Sequence, residues 1–500
     1  MKHTYILLIA ALFAAKQDIY AQGYATDALR FSQYEYGSSA RVKGLGNAQT
    51  ALGGDISSLA GNPAGLGLFT KSQLSLSPEI FNYNTKSGFF GQNTDASRGR
   101  IGINSIAAAF PIIIGKAKGK ALDKGALSLT FGLGYNKTAD FGNKIAFTGI
   151  NTQGTIAGFY AELGNNSTGT NLASGSIADA AYNGNLINYT NGRYSVATDL
   201  NPTQSEILIR KGSLSEFNLA AAMNISNQFY IGASVGILGL NYSSDNTFTE
   251  KGTLSYSDTR GDYKENYANN YYQRYEAKGT GLNAKVGIIF RPDSHVRLGA
   301  NVQTPNWYTI DDSYSESIQT RLTNNPYFTD QDVKSQVQTY DLTYSLKTPA
   351  KFSLGLTLLE SKVGLISADV DFVDYSSMEL KEKDYEFSNT FVEDNRIIVN
   401  NFKNTMNYRF GGEVKVSPVF MLRSGYSITG SPYENDKSAE IKTLSFGAGY
   451  RSGNLSFDIA YQNTKRDASI EPYYVNSVAG ATAATQNTKS GIFLTLSTRF

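Results

Sequence analysis

Apolar and polar residues alternate with a period of two over most of the chain after residue 70. From Leu127 to Asn136, for example, Leu, Leu, Phe, Leu and Tyr alternate with Ser, Thr, Gly, Gly and Asn. The segments 352–358, 366–372 and 455–462 repeat this pattern. Because successive side chains of a strand point to opposite faces, each segment predicts a β-strand with one apolar face and one polar or tiny face.

About fourteen such strands are predicted, and the connections between them alternate strictly between short turns and long loops. Their approximate positions are 71–84, 100–114, 124–137, 214–226, 228–242, 278–291, 294–309, 340–359, 362–376, 403–416, 418–428, 441–452, 454–464 and 489–500. An even strand count with short turns at one rim and long loops at the other is typical of an outer-membrane barrel. The longest loop, 138–213, is predicted to carry a short helix near Ser176–Tyr182.

Charged positions decide which face of these strands is inside. Arg409, Glu413 and Lys415 share one face of a strand, and Asp369 and Asp371 share one face of another. A cation on the lipid face costs roughly 2–4 kcal/mol at mid-membrane, so these residues must face the lumen. The fold class predicted is therefore all-β, a transmembrane antiparallel barrel, and a large soluble β-sandwich or propeller is the less favoured alternative.

Both ends of the chain agree with export to the outer membrane. Residues 1–21 predict a signal peptide, in which the apolar run Ile6–Ala15 is too short to span a membrane and cleavage falls after Ala21. The last strand ends on Phe500, as the assembly signal of outer-membrane proteins does. The expected location is the outer membrane of a Gram-negative-type bacterium.

The segment Gly44–Phe69 is rich in Gly and Ala and has neither a strand period nor a long helical period. We therefore divide the mature chain into an N-terminal hatch, 22–70, and a barrel, 71–500, with the hatch inside the lumen. Within the hatch, Asp55 is predicted to cap a short helix over Ile56–Ala60, and Asn62 to end that helix in a left-handed conformation. Direct contact of these residues with a ligand is the alternative role.

The composition of the chain argues against several other classes of protein and of binding site. The net charge of +2 gives no indication of a nucleic-acid partner. Cysteine is absent, which excludes thiolate metal sites and a lipoprotein anchor. His295 is the only histidine left after signal removal, and it lies at a short turn. We therefore expect neither an enzyme nor a metal site nor a cofactor.

The hatch carries a sequence resemblance to the FadL/TodX family of outer-membrane transporters for hydrophobic compounds. In a similar small-residue run, that family has an acidic residue followed by Asn-Pro-Ala, which here are Asp55 and Asn62-Pro63-Ala64, with Gly46 before and Gly65 after. Weaker family-like phrases follow in the expected order at 297–305, 348–355, 368–371, 422–426 and 447–451.

The resemblance implies a 14-stranded barrel plugged by its hatch. It also implies that a hydrophobic ligand is captured outside the cell, passes to a site against the hatch and leaves sideways into the bilayer. The exit would lie at an inward kink of the third strand, 124–137. Gly132 and Gly134 could permit that kink, since glycines mark bends in strands, or could simply make room for the hatch. The two readings stay open.

The hatch is expected to be held by ion pairs with lumen-facing charges. Arg41, Lys43 and Asp55 are the hatch charges concerned. Candidate partners on the wall are Arg297, Asp369, Asp371, Arg409, Glu413, Arg423 and Asp458. The alternative is that these charges are separately solvated by lumen water.

The function expected is passive uptake of hydrophobic small molecules, long-chain fatty acids or similar, by a monomer whose other partner is outer-membrane lipid. Two alternatives of different class stay open. One is a diffusion porin for polar solutes, against which the plug argues. The other is a surface receptor or adhesin that acts through its long loops.

Overall fold

The computed structural model describes residues 23–35, 39–114, 116–117, 120–121, 124–166, 172–383, 390–434, 436–475 and 480–500. The predicted signal peptide, 1–21, lies outside these residues and stays a prediction. No helix among the described residues has the length and hydropathy needed to cross a membrane.

Strands dominate the described chain. They are β1 (Gln73–Phe89), β2 (Gln92–Ile113), β3 (Lys116–Ala117), β4 (Lys120–Ala121), β5 (Ala126–Asp140), β6 (Asn143–Ile150), β7 (Ile187–Thr190), β8 (Arg193–Val196), β9 (Thr203–Ile225), β10 (Phe229–Asp258), β11 (Gly261–Phe290), β12 (Val296–Gln303), β13 (Trp307–Thr323), β14 (Gln331–Lys334), β15 (Gln338–Lys347), β16 (Lys351–Glu360), β17 (Gly364–Asp374), β18 (Glu379–Glu382), β19 (Asn404–Lys415), β20 (Phe420–Thr429), β21 (Ile441–Ser452), β22 (Leu455–Ile470) and β23 (Ala483–Arg499).

Helices are few and short. They are α1 (Tyr24–Ser32), α2 (Ala40–Gly44), α3 (Ala157–Asn166), α4 (Ile177–Asn183) and α5 (Val392–Asn401), with 3₁₀ helices at Ile56–Leu59, Pro63–Leu68 and Tyr375–Ser377. The helix predicted in the longest loop is confirmed as α4, which Ser176 caps by accepting from the amide of Asp179 at 3.1 Å.

The described residues form a closed antiparallel barrel of 14 wall strands, which confirms the predicted fold class. Twelve of them are β1, β2, β5, β9, β10, β11, β17, β19, β20, β21, β22 and β23. The seventh is β12 continued by β13, and the eighth is β15 continued by β16. Pairing of β1 with β23, from Gln73 opposite Arg499 onward, closes the barrel.

Along each strand, the apolar side chains face outward and the polar or small side chains face the lumen, as the charged positions of the sequence predicted. Leu354 on β16 is 39% exposed on the outer surface, whereas its neighbour Ser353 is 4% exposed and points inward. On β10 the outward positions are apolar as far as Ile237 and polar from Asn241 on. The apolar band of the wall therefore ends near this level, and the outer third of β10 rises beyond it.

Two bodies fill the lumen at different depths. The hatch lies near the rim of the short turns, which we call the inner half. Helix α1 lies near the rim of the long loops, the outer half. There Tyr24 packs edge-on against Tyr344 and Phe391, and Phe31 packs against Tyr242. The sequence had not predicted α1, and it adds a second layer of chain above the hatch.

Candidate ligand chamber and its plug

Short capped turns build the hatch. Ser39 caps α2, and its hydroxyl donates to Asp55 Oδ1 at 2.8 Å. The same Asp55 oxygen accepts from the amide of Ser57 at 3.0 Å and so begins the 3₁₀ helix Ile56–Leu59. The predicted capping role of Asp55 is therefore confirmed, and its carboxylate also ties α2 to the following turn.

Asn62 does not adopt the left-handed conformation predicted from the sequence. Its φ of −95° and ψ of 107° are extended, and its Oδ1 accepts from the amide of Ala64 at 3.1 Å. A second 3₁₀ helix, Pro63–Leu68, begins there, because proline fits the first position of a helix as well as it stops one. Asn62 Nδ2 donates to the carbonyl oxygens of Thr50 at 2.7 Å and Ile288 at 3.2 Å, which joins hatch to wall.

One chain of ion pairs crosses from the hatch to the wall. Arg41 Nε lies 2.9 Å from Glu413 Oε2, and Arg423 Nε lies 2.6 Å from the same oxygen. Arg423 Nη1 continues to Asp458 Oδ1 at 2.7 Å. On the hatch side, Arg41 Nη1 lies 4.0 Å from Asp55 Oδ2. Five of the charges proposed from the sequence thus lie in one connected group.

A second group surrounds Asp369. Arg409 pairs with Asp371 and lies 3.3 Å from Asp369 Oδ2. The same Asp369 oxygen accepts from the amides of Gln49 at 2.8 Å and Thr50 at 2.9 Å. The hatch therefore rests on a wall carboxylate through two backbone amides and through the Thr50 hydroxyl, which donates to the same oxygen at 2.9 Å.

Two of the proposed charges make no ion pair with the described residues. Arg297 donates instead to the carbonyl oxygen of Leu52, so it holds the hatch by its backbone. Lys43 is 3% exposed, and its Nζ lies 4.7 Å from the ring centre of Phe493. The ion-pair role predicted for Arg297 and Lys43 is therefore wrong, because the groups that face them are a carbonyl and an aromatic ring.

Lumen-facing glycines line the seat of the hatch. A methyl group added at any of them would overlap atoms of the hatch; they are Gly132, Gly232, Gly287, Gly299, Gly355, Gly411 and Gly425. On the hatch side, Gly46 has a φ of +63°, and an added Cβ would lie 2.7 Å from the carbonyl oxygen of Phe410. Gly65 faces Ser58 within the hatch itself. Of these wall glycines, only Gly132 had been assigned a place against the hatch from the sequence, although each stands on the tiny face of an alternating strand.

A cavity of about 270 Å³ lies above the hatch and below the end of α1. Phe81, Phe493, Ile428 and Ile441 supply apolar lining, and Lys43 lies on the hatch side. Cations outnumber carboxylates in the wall; the charged lining residues are Arg30, Glu35, Lys43, Asp140, Arg210, Arg409, Arg466 and Lys489. An apolar space with a cationic wall suits an amphiphilic ligand.

The third wall strand bends inward beside this cavity. β5 pairs with β2 from Ser128 to Asn136, and its register with β9 shifts between Lys137 and Ala139. β6 then pairs with β9 but not with β2. Among the described residues, the stretch 92–104 of β2 therefore pairs only with β1, which leaves an interruption in the wall.

Gly132 and Gly134 lie before this bend. Gly132 pairs regularly with Ala109, and Gly134 with Ala107. A Cβ at Gly132 would lie 2.7 Å from Leu59 of the hatch. Making room for the hatch is thus the reading that the geometry favours for Gly132, and the bend itself starts after Lys137.

Side chains cross the interruption where the backbone does not. Arg100 of β2 pairs with Asp140 at the bend, and Lys137 Nζ lies 2.7 Å from Asp140 Oδ2. Arg98 Nη1 donates to the carbonyl oxygen of Arg210 on β9 at 2.7 Å. Asp140 and Arg210 both line the cavity, so these contacts separate the cavity from the outer surface.

The barrel, its internal plug and the cavity above the plug define the class of plugged β-barrels of the outer-membrane type. Residues 194–500 match the family model of the outer membrane protein transport proteins (OMPP1/FadL/TodX). This match covers more than half of the chain, and the protein belongs to that family. A search among curated proteins found no match.

Solved structures agree with this fold. A FadL homologue of Pseudomonas aeruginosa shows 14% sequence identity and a TM-score of 0.52, over 93% of this chain and 98% of that one. A deltaS2S3 mutant of TodX, a monoaromatic hydrocarbon channel, shows 10% identity and a TM-score of 0.50, over 94% and 100%. At these identities the likeness extends to the fold alone.

Proposed function

We propose that this protein takes up hydrophobic small molecules, long-chain fatty acids or similar amphiphiles, by passive transport. The ligand is captured at the long-loop rim, occupies the cavity against the hatch and leaves sideways into the bilayer. The observation that carries this proposal is the position of the cavity. It lies between the plug and the one bend at which, among the described residues, a wall strand parts from its neighbour.

The sideways route is supported by the nature of the barrier. At the interruption, Arg98 and Arg100 meet Asp140 and a backbone carbonyl of β9 through side chains. Side-chain contacts can exchange by rotamer changes, whereas opening a ladder would expose unpaired backbone groups to lipid. The route downward would require displacement of the hatch, which is held by the ion pair between Arg41 and Glu413 and by backbone hydrogen bonds to Asp369.

Cross-linking across the interruption tests the route. The chain contains no cysteine, so Arg100→Cys with Asp140→Cys introduces the only two thiols. A short bifunctional thiol reagent should then lower uptake of a labelled fatty acid several-fold in cells, and reductive release of the reagent should restore it. Undiminished uptake by the cross-linked protein would rule out exit at the bend.

A second cysteine pair serves as the matched control. Thr249 and Asn270 face each other in the unbroken ladder of β10 and β11, with side-chain oxygens 2.7 Å apart. The same reagent at this pair should leave uptake unchanged. A liposome swelling assay separates the porin alternative, because brisk flux of small sugars through the unmodified protein would contradict a sealed plug.

The receptor alternative needs a different measurement. Shortening the loop between β6 and β9 should reduce capture and so lower uptake at low ligand concentration. A variant that transports normally but loses binding of a surface partner would favour the receptor role.

A further inference from the structure

Two guanidinium groups in the outer part of the cavity have no hydrogen-bond or ion-pair partner in the part of the chain that the structure describes. Arg210 on β9 and Arg466 on β22 both line the cavity. The side chain of neither residue makes a hydrogen bond or an ion pair with any of the described residues, and Arg210 Nε is buried without an acceptor. Both residues are partly buried, and a charge that is withdrawn from water is costly to the extent that no opposite charge compensates it.

Lys43, at the hatch end of the cavity, lies over the ring of Phe493 without an ion pair, but cations nearer to Arg210 and Arg466 are compensated. Arg30 pairs with Asp27 and lies 4.7 Å from the ring centre of Tyr242. Lys489 lies 2.5 Å from Glu35. In the outer part of the cavity, the uncompensated charge is therefore local to Arg210 and Arg466, and there it amounts to two positive charges.

We propose that Arg210 and Arg466 bind the head of an amphiphile that carries two negative charges, of the phosphate monoester type. Two planar guanidinium groups present paired N–H donors that match the oxygens of a phosphate. A single carboxylate balances only one of the two charges and leaves the other uncompensated. The tail lies along the apolar lining formed by Phe81, Phe493 and Ile441.

This inference rests on the proposed function, because it names the ligand class for the same cavity. It also separates this chain from a channel for uncharged hydrocarbons, since a neutral ligand would leave both guanidinium groups uncompensated. The charge of the head thus becomes the property that selects the ligand.

The test compares ligands that share a tail and differ in the head. Full-length protein in nanodiscs is titrated calorimetrically at pH 8 with dodecyl phosphate, dodecanoate and dodecanol, and with inorganic phosphate as the head alone. We expect dodecyl phosphate to bind at least tenfold more tightly than each of the others. Its affinity should fall at pH 5, because the second ionisation of a phosphate monoester lies at a pH of about 6.

Substitutions locate the site. Arg210→Gln and Arg466→Gln should each weaken dodecyl phosphate binding at least tenfold while leaving dodecanol binding unchanged. Lys465→Gln is the matched control, because Lys465 is the exposed neighbour of Arg466 on the same strand. Folding of each variant is checked by its mobility on a gel before and after heating, so that a loss of binding reports the site.

Each outcome bears on one proposal. The proposal of a dianionic head group would be overturned by equal affinity for dodecanoate and dodecyl phosphate. It would also be overturned if both arginine variants bound dodecyl phosphate with unchanged affinity. Equal affinity for inorganic phosphate and dodecyl phosphate would show that the tail does not contribute, and so would overturn the proposal that the ligand is an amphiphile. Fatty acid uptake by the unmodified protein is measured in parallel. If uptake proceeds while dodecyl phosphate fails to bind, this inference fails and the proposed function stands; if uptake is absent, the proposed function fails.

Discussion

The inner and outer halves of the lumen differ in whether their buried or partly buried arginines are paired with carboxylates. In the inner half, Arg41, Arg409 and Arg423 are each paired with carboxylates of the chain itself. In the outer half, Arg210 and Arg466 face a cavity with no carboxylate within ion-pair distance among the described residues. Arginine thus forms ion pairs that hold the hatch in the inner half, whereas in the outer half two arginines remain without a counter-charge among the described residues.

This difference separates a structural role from a binding role. A buried pair adds little net stability, but its loss on one side exposes an uncompensated charge. The inner half therefore holds the hatch firmly without needing anything from outside. Arginine cannot neutralise itself by losing its proton, so the outer half is complete only when an anion enters.

Removal of Arg423 should have the largest effect. Arg423 lies between Glu413 and Asp458, and Arg423→Met leaves both carboxylates buried without it. We expect a loss of about 3–5 kcal/mol in the free energy of unfolding. Urea unfolding in detergent micelles, followed by gel mobility, measures this loss.

Arg466→Met is the control that tests the comparison directly. Because Arg466 has no ion-pair partner among the described residues, its removal should not lower the free energy of unfolding by more than about 0.5 kcal/mol, even though it should impair ligand binding. Equal losses for Arg423→Met and Arg466→Met would mean that the two halves do not differ in the way we describe.

Asp369→Asn should have the next largest effect. The Asp369 carboxylate accepts from the backbone of Gln49 and Thr50, and an amide keeps the shape but loses the charge. We expect a loss of about 2 kcal/mol and a looser hatch, because hydrogen bonds to a charged group are worth more than neutral ones. Leakage of a polar antibiotic into cells should rise. Asp467→Asn, at an exposed position, should leave permeability unchanged.

Two hatch glycines allow the wall contact to be measured by itself. Gly46 and Gly54 have φ values of +63° and +66°, so alanine costs a similar backbone strain of about 1 kcal/mol at either position. An added Cβ at Gly46 would lie 2.7 Å from wall atoms of β19 and β20, whereas at Gly54 the nearest atom is Leu68 Cβ at 3.8 Å. Gly46→Ala should therefore destabilise by about 1 kcal/mol more than Gly54→Ala. Equal losses would mean that the wall does not constrain Gly46.

The barrel could be predicted from the sequence because the pattern that indicates each strand is local. Alternation of side chains assigns the faces of each strand, and Leu354 and Ser353 lie on the faces expected. The hatch was located by composition, and the cap at Asp55 by its spacing to the turn that follows. These features need no knowledge of distant parts of the chain.

The details that the sequence did not predict depend on tertiary contacts. Asn62 is extended because the carbonyl oxygens of Thr50 and Ile288 hold its amide, and neither contact leaves a local signature. The bend of the third strand lies after Lys137 and not at the glycines, because Gly132 serves the hatch. That Arg210 and Arg466 lack an ion-pair partner among the described residues could not be recognised before the cavity was known.

A buried carboxylate in the loops offers the smallest and most selective test of the comparison. Glu250 lies on the part of β10 beyond the apolar band and accepts hydrogen bonds from Gln204, Tyr267 and the amide of Ile156, with no cation within ion-pair distance among the described residues. Burial raises its pKa from 4.5 to about 7. Unlike Arg210, this group can neutralise itself by taking up a proton.

The stability of the loop cluster around Glu250 should therefore depend on pH. Between pH 4.5 and 7 the folded state keeps a proton that the unfolded state has lost, so the contribution is complete at the low end and is lost as the pH rises through about 7. The slope should be at most about 1 kcal/mol per pH unit. Hydrogen exchange of residues 151–166 at pH 5 and pH 8, corrected for intrinsic rates, measures it. Glu250→Gln should remove the pH dependence of the exchange. If the dependence persists in this variant, another group in the loops titrates, and Glu250 is not an example of a buried charge that neutralises itself.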